Sequence, residues 1–320
     1  MKKIKTKYGF IEGISSINYY KNNTIRDCTL SCVNKLQTPY GIFIPQYDDS
    51  SERRKLISSL SFYDNGNLKR IALQDKTYVN TSLGTLPAEL ITFYENESIK
   101  RIFNLNGKIT GYWSEEDEYS LAENIEFNLS IGKFNLKTIG VHFYEDKTLK
   151  SITFWPKDIV HIISPIGKVS ARIGLSFYPN GSLKSFEPYK PITIETKIGN
   201  IVAYDVNPIG IHGDSNSVKF SIDGQIESLT TSTNKIKVIN KNGQIKVYKP
   251  QLRQSLLDEK KMDIVPLSIE FYDNKIVFNN SNDDSYSFDD YVFNIDSGSL
   301  KVSSPCSSCA SCSGCSSCSI

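Results

Sequence analysis

The stretch Ser61-Phe62-Tyr63-Asp64-Asn65-Gly66-Asn67-Leu68-Lys69-Arg70-Ile71 constrains this chain more than any other, because it encodes a hairpin and then recurs. Asn-Gly between aromatic and aliphatic runs is a strong local turn signal, since both residues take positive φ at small cost. A two-residue turn would set Tyr63 opposite Leu68. A three-residue turn with Gly66 left-handed sets Phe62 opposite Leu68, gathers Leu60, Phe62 and Leu68 on one face and turns Tyr63 to the other. The second register is expected; a slip of one residue would invert every side chain.

Copies follow along the chain. Phe93-Tyr94-Glu95-Asn96-Glu97-Ser98-Ile99-Lys100-Arg101-Ile102 keeps all but the glycine, Phe143 to Ile152 has lost the Asn-Gly pair, and Phe177 to Phe186 restores it. Eroded versions lie at Tyr19–Ile25, Phe220–Ile226 and Phe271–Ile276. Between them stand turn tetrapeptides with proline at a φ-locked position, Thr38-Pro39-Tyr40-Gly41, Ser164-Pro165-Ile166-Gly167 and Asn207-Pro208-Ile209-Gly210, with Thr196-Lys197-Ile198-Gly199 as a decayed fourth. Degenerate copies at irregular spacing suit a stack in which each hairpin needs only its neighbours. The fold expected is all-β, an antiparallel hairpin-repeat meander forming an elongated stack or open twisted sheet. Its parts are a repeat domain over 1–230, a continuation over 231–298, and a flexible cysteine-rich tail over 299–320.

Two helices are expected. One spans about 252–262, with Leu256 and Leu257 on one side and Glu259, Lys260 and Lys261 toward solvent. The other is short, capped by Ser114 with acidic residues in its first turn. A further turn is expected at Asn104–Ile109, and a polar, acidic loop at Asn279–Asp290.

With 39% hydrophobic and 11% aromatic residues the chain has material for a substantial core. A net charge of +2 argues against a protein coated in nucleic acid. Lys69, Lys100, Lys150 and Lys184 recur at one place in each hairpin; a solvated face with edge-protecting lysines is the plainer reading, and a phosphate-binding stripe the other. The basic start Met1–Lys7 is followed by no apolar run, and no stretch is long enough to span a bilayer, so a cytoplasmic location with reduced thiols is expected.

Little in the repeats resembles chemistry. Cys28 and Cys32, if on one strand, stand about 13 Å apart, too far for a disulfide or shared metal. His142, His161 and His212 have no second ligand at chelating spacing; His212-Gly213-Asp214 is the one site-like grouping, and it lacks a nucleophile. No catalytic residue is assigned. The tail differs: Cys306, Cys309, Cys312, Cys315 and Cys318 repeat every third residue among Ser, Ala and Gly, where nothing is large enough to bury. Such thiolates suit zinc or copper(I). Cys306, Cys309 and Cys312 also match the start of a ferredoxin run, but the wider last gap and following proline that an iron–sulfur cluster would need are missing. Covalent modification or disulfide chemistry is the remaining use.

The Phe-Tyr-x-Asn-Gly-x-Leu-Lys unit resembles the bacterial MORN-like repeat proteins of the YwqK type, in patches over residues 15 to 275. The resemblance implies an all-β stack of hairpins with a scaffold role and carries over no catalytic residue; the chain departs from it in its irregular period and in lacking a regular glycine after each hairpin. Asn106–Trp113 separately resembles one cell-wall-binding repeat of the choline-binding kind. The tail is similar to the cysteine-rich ends of thioether-cross-linked peptides. The function expected is a non-enzymatic scaffold with a protein partner along the repeat sheet, no nucleic acid, and a tail that binds soft metal or undergoes thiol chemistry. Two alternatives stand: a substrate protein whose tail is modified by a partner enzyme, and a glycan-binding or glycan-acting protein built on the tyrosines and carboxylates of the sheet.

Overall fold

The computed structural model describes residues 3–48, 53–54, 58–208, 213–255 and 260–297. Two compact units are present. One comprises the chain up to Ile192 with Pro208–Thr230, the other Thr193–Asn207 with the chain from Thr231 onward. No helix among the described residues is long and apolar enough to cross a membrane.

The first unit is an antiparallel meander of hairpins in chain order: Ile14–Tyr19 with Ile25–Leu30, Leu60–Phe62 with Leu68–Thr81, Gly84–Phe93 with Ile99–Phe103, Gly132–Phe143 with Leu149–Phe154, Gly167–Phe177 with Leu183–Pro188, and Val218–Phe220 with Ile226–Thr231. Each hairpin also pairs with the next, through Asp27↔Ser61, Arg70↔Thr92, Arg101↔His142, Ser151↔Ser176 and Ser185↔Lys219. The expected register holds. Phe62 faces Leu68, Gly66 has φ 83°, and the Tyr63 N–H donates to Asn67 O at 2.8 Å while the Gly66 N–H donates to Tyr63 O at 3.0 Å. Leu60, Phe62 and Leu68 are buried together, and Phe93, Phe143 and Phe177 occupy the equivalent buried place. Where Gly is missing the turn survives with strain: Glu97 and Lys147 take the left-handed position at φ 69° and 72°.

Two features beyond the turn repeat. Pairing jumps from Phe62↔Leu68 to Ser61↔Arg70, so Lys69 is the extra residue of a β-bulge. Arg26, Lys100, Lys150, Lys184 and Glu227 are skipped in the same way. The lysines are thus bulge residues on strands paired on both sides, not edge guards. Lys69, Lys100, Lys150 and Lys184 lie 5.2–5.4 Å from the ring centres of Tyr63, Tyr94, Tyr144 and Tyr178. Those tyrosines form a rail. Tyr20, Tyr63, Tyr94, Tyr144 and Tyr178 each donate a hydroxyl to the carbonyl of the next repeat's phenylalanine, Phe62, Phe93, Phe143, Phe177 and Phe220, at 2.8–2.9 Å. Ser221 follows Phe220 where a tyrosine would stand, and the rail ends there.

The second punctuation mark depends on a hydroxyl and a glycine rather than on proline. Thr6, Thr38, Thr81, Ser164 and Thr196 each donate from the side chain to the carbonyl of the glycine three residues on, at 2.6–2.8 Å; only the second and fourth of these turns contain proline. Three of these turns, and the turn Leu129–Gly132, each bond to a repeat hairpin farther along. In the first unit the Leu68 N–H donates to Tyr8 Oη at 2.8 Å, the Ile99 N–H to Tyr40 Oη at 3.2 Å, Ser82 Oγ to Lys147 O at 2.7 Å, and Ser130 Oγ to Gly181 O at 3.1 Å.

Three local expectations are corrected. Asn106-Gly107 makes no hairpin, because its peptides are captured by a buried ionic cluster: Asn106 N–H donates to Glu89 at 2.7 Å and Gly107 N–H to Glu118 at 2.8 Å. Arg53 bridges both carboxylates, at 2.7 Å to each. Glu118 projects inward from the helix Glu115–Leu121, which Ser114 caps as expected, with Asp117 completing a capping box. The described residues of the helix expected near 252–262 are not helical. Gln251–Gln254 and Met262–Val265 are antiparallel strands, with Gln251↔Val265 and Gln254↔Met262, and residues 256–259 lie outside the described residues. Pro266 biases Val265 toward the extended form, and cross-strand pairing overrides a weak helical pattern. Finally, Ser285–Ser287 is a strand inside the expected loop, and Tyr286 there packs edge-on against Tyr248, itself stacked on Phe278 at 4.2 Å, in the core of the second unit.

Candidate anion-binding groove

Because a bulge keeps the skipped residue and its successor on the outer face, one polar residue per strand lines up across the first unit. The cross-strand series runs Asn18, Asp27, Ser61, Arg70, Thr92, Arg101, His142, Ser151, Ser176, Ser185, Lys219 and Ser228, each the register partner of the next. The two halves of this ladder differ in cover.

The half from Asp27 to Arg101 is left open by the described residues. It forms the floor of a groove of about 560 Å³, with the bulge residues Arg26, Lys69 and Lys100 beside it and Tyr20 and Tyr63 of the rail along it. Five cations line the groove against one carboxylate, Asp27. Burial works against ionisation of Asp27, but the hydrogen bonds from Asn18 and Arg26 and the charges of Arg26 and Arg70 hold its carboxyl below the usual range. Burial, with Glu95 adding to it, pushes the Tyr63 phenol up, so it stays a neutral donor at ordinary pH. Among the described residues, Lys69 and Lys100 have no carboxylate partner; each sits on a tyrosine ring instead. Such a surface attracts negative charge and holds its cations on a paired, bulged sheet rather than on loops.

The half from His142 to Ser185 is covered by residues 213–217. Gly213 N–H donates to Thr153 Oγ1 at 2.6 Å, Asn216 Nδ2 to Ser185 Oγ at 2.7 Å, and Ser217 N–H to Glu187 at 2.8 Å. The approach is close enough that a Cβ on Gly174 would fall 2.6 Å from Gly213 Cα, so glycine is required at the crossing. At the boundary between the halves Asp214 accepts from Arg101 at 2.8 Å, and the same oxygen lies 3.4 Å from His142 Nδ1. Burial opposes ionisation of Asp214, yet the contacts of His142 and Ser151 and the charge of Arg101 hold its carboxyl well below the usual carboxylate range. Burial likewise lowers the His142 pKa despite Asp214, with Arg101 pushing the same way, so the imidazole is neutral at pH 7.

The structure therefore brings Asp214 of the site-like turn to His142 and Arg101, whereas His212 lies outside the described residues. His161 is separate, with Nδ1 2.9 Å from Ser170 Oγ. Cys28 is buried, and burial pushes its thiol up to about 12. Cys32 lies past the end of that strand, its thiol directed at Glu12 O. Among the described residues no group of three or more His, Cys, Asp and Glu is arranged to hold a metal. Cys306, Cys309, Cys312, Cys315 and Cys318 lie outside the described residues.

Sequence reasoning missed the ladder, although its signal is present. A polar residue precedes each repeat phenylalanine (Ser61, Thr92, His142, Ser176), and another follows each bulge lysine (Arg70, Arg101, Ser151, Ser185). No protein-family model, curated protein or solved structure matches the chain.

Proposed function

We propose that this protein is a non-enzymatic binding scaffold of hairpin repeats whose open basic groove takes an anionic partner. One observation carries the reading: five cations line the groove along a bulged sheet, with Asp27 the one carboxylate among the lining residues. The resemblance to MORN-like repeats supports a scaffold role, and the tyrosine rail supports a sheet rigid enough to present the groove unchanged. The test is binding of a multivalent anion, inorganic tripolyphosphate, by calorimetry. Uptake should weaken steeply with salt and fall at least about tenfold in the Lys69→Glu/Lys100→Glu double variant, where like charge replaces opposite charge. Equal uptake by the variant rules the groove out.

The cysteine tail is a separate module of the same reading. Its five thiols, spaced by two small residues, suit one tetrahedral zinc or a copper(I)–thiolate cluster. The reduced full-length chain should take up zinc or copper(I) under anaerobic conditions. Cys309→Ser with Cys312→Ser leaves three tail thiols and should abolish tight binding, whereas Cys318→Ser should be tolerated. If the full chain takes up neither metal, the metal reading falls and modification of the tail cysteines replaces it.

A further inference from the structure

The chain itself occupies one half of the polar ladder. Over the covered half lie a carboxylate, a backbone N–H and a side-chain amide from residues 213–217, set respectively on Arg101, Thr153 and Ser185. The open half offers Arg70 at the post-bulge place in its hairpin that Arg101 holds in the next, with Lys69 and Lys100 beside it and Ser61 as the neighbouring rung. Arg101 belongs to both halves, lining the groove while holding Asp214.

We infer that the open half is a docking site for an acidic polypeptide segment of a partner protein, and that residues 213–217 are a built-in ligand of the same kind on the neighbouring half. This rests on the anion-binding reading above and narrows it from anions in general to carboxylate-bearing chain. Two observations favour polypeptide over a compact phosphate. The rungs are spread along a line, one per strand, so five strands at a spacing of about 4.8 Å extend about 19 Å, the length of roughly six extended residues. The internal occupant also sets a side-chain amide on the Ser185 rung and a backbone N–H on Thr153 beside the ladder, groups a phosphate cannot supply. Binding by this mode sets carboxylates on Lys69, Arg70 and Lys100, and Asp214 competes for the fifth cation, Arg101.

The competition makes the proposal testable on the full-length protein. The probe is a fluorescein-labelled nine-residue peptide, (Gly-Asp-Ser)3, followed by anisotropy at low salt, with tripolyphosphate measured in parallel. The expected result is saturable peptide binding that weakens at least about tenfold in Lys69→Glu/Lys100→Glu. It should be unchanged in Lys184→Gln, a bulge lysine outside the groove. It should strengthen about fivefold in Asp214→Asn, which removes the carboxylate that competes for Arg101; that is the low end of coupling between two groups sharing a site. A purely structural role for Asp214 predicts unchanged or weaker binding, and that outcome overturns the inference. Peptide binding indifferent to the charge-reversed pair overturns it as well, and since those side chains are on the surface this arm holds even if Asp214→Asn fails to fold. Tripolyphosphate binding without peptide binding overturns the polypeptide assignment while leaving the basic groove intact. Binding of neither removes both.

Discussion

At the scale of single residues, positions that break the repeat pattern show how much each contributes. Lys147 holds the left-handed turn position at φ 72°, a conformation that costs a side-chain-bearing residue about 1–2 kcal/mol. Its backbone carbonyl, not its side chain, receives Ser82. Lys147→Gly should therefore stabilise the protein by up to about 1 kcal/mol after the glycine's extra unfolded-state entropy is deducted, read as a higher urea midpoint. Glu97→Gly should not, because the Glu97 side chain receives Lys7 and Tyr8 (the latter at 2.7 Å), and these bonds would be lost. Asp214 sets a pH dependence. Its carboxyl is depressed in the folded state, so its stabilisation is complete above the unfolded value of about 3.9 and fades as pH falls through the lower folded value. Asp214→Asn should flatten the acid limb of stability against pH; an unaltered limb would place the acid transition in other carboxylates.

At the scale of elements, the hairpin carries local instructions and the contacts between hairpins carry the rest. The tyrosine rail is the cleanest such contact, one hydroxyl per interface at nearly constant length. Tyr94→Phe removes one bond while keeping the ring under Lys100, and should cost about 1 kcal/mol in chemical denaturation. The Asn106-Gly107 stretch shows the reverse: a sound local turn signal is overruled because Glu89 and Glu118, both turned inward onto Arg53, need donors and take them from that backbone. A buried carboxylate left with a partner missing costs more than a turn preference is worth. Arg53→Met should thus destabilise strongly, by about 3–5 kcal/mol, unless both carboxylates are replaced with it.

At the scale of the whole chain, the repeated core decides stability. Phe143 is buried at the place shared by Phe62, Phe93 and Phe177, and Phe143→Ala should cost about 3–5 kcal/mol, measured as a fall in denaturant midpoint. The sequence by itself determined the hairpins, their register, the phenylalanine core and the capped helix at Glu115, since each follows from residues within about ten positions and from a period of two. Its failures were of other kinds. The pairing of Gln251–Gln254 with Met262–Val265 was hidden because strand pairing answers to neighbours, not to propensity. The polar ladder and its groove went unread because a β-bulge breaks the period of two, turning Lys69 and Arg70 to the same side. That Asp214 reaches Arg101, 113 positions away, is settled by how residues 213–217 cross the finished sheet. No local rule in the chain encodes that crossing, because its free energy comes from hydrogen bonds and charges that exist only once the strands beneath it have paired.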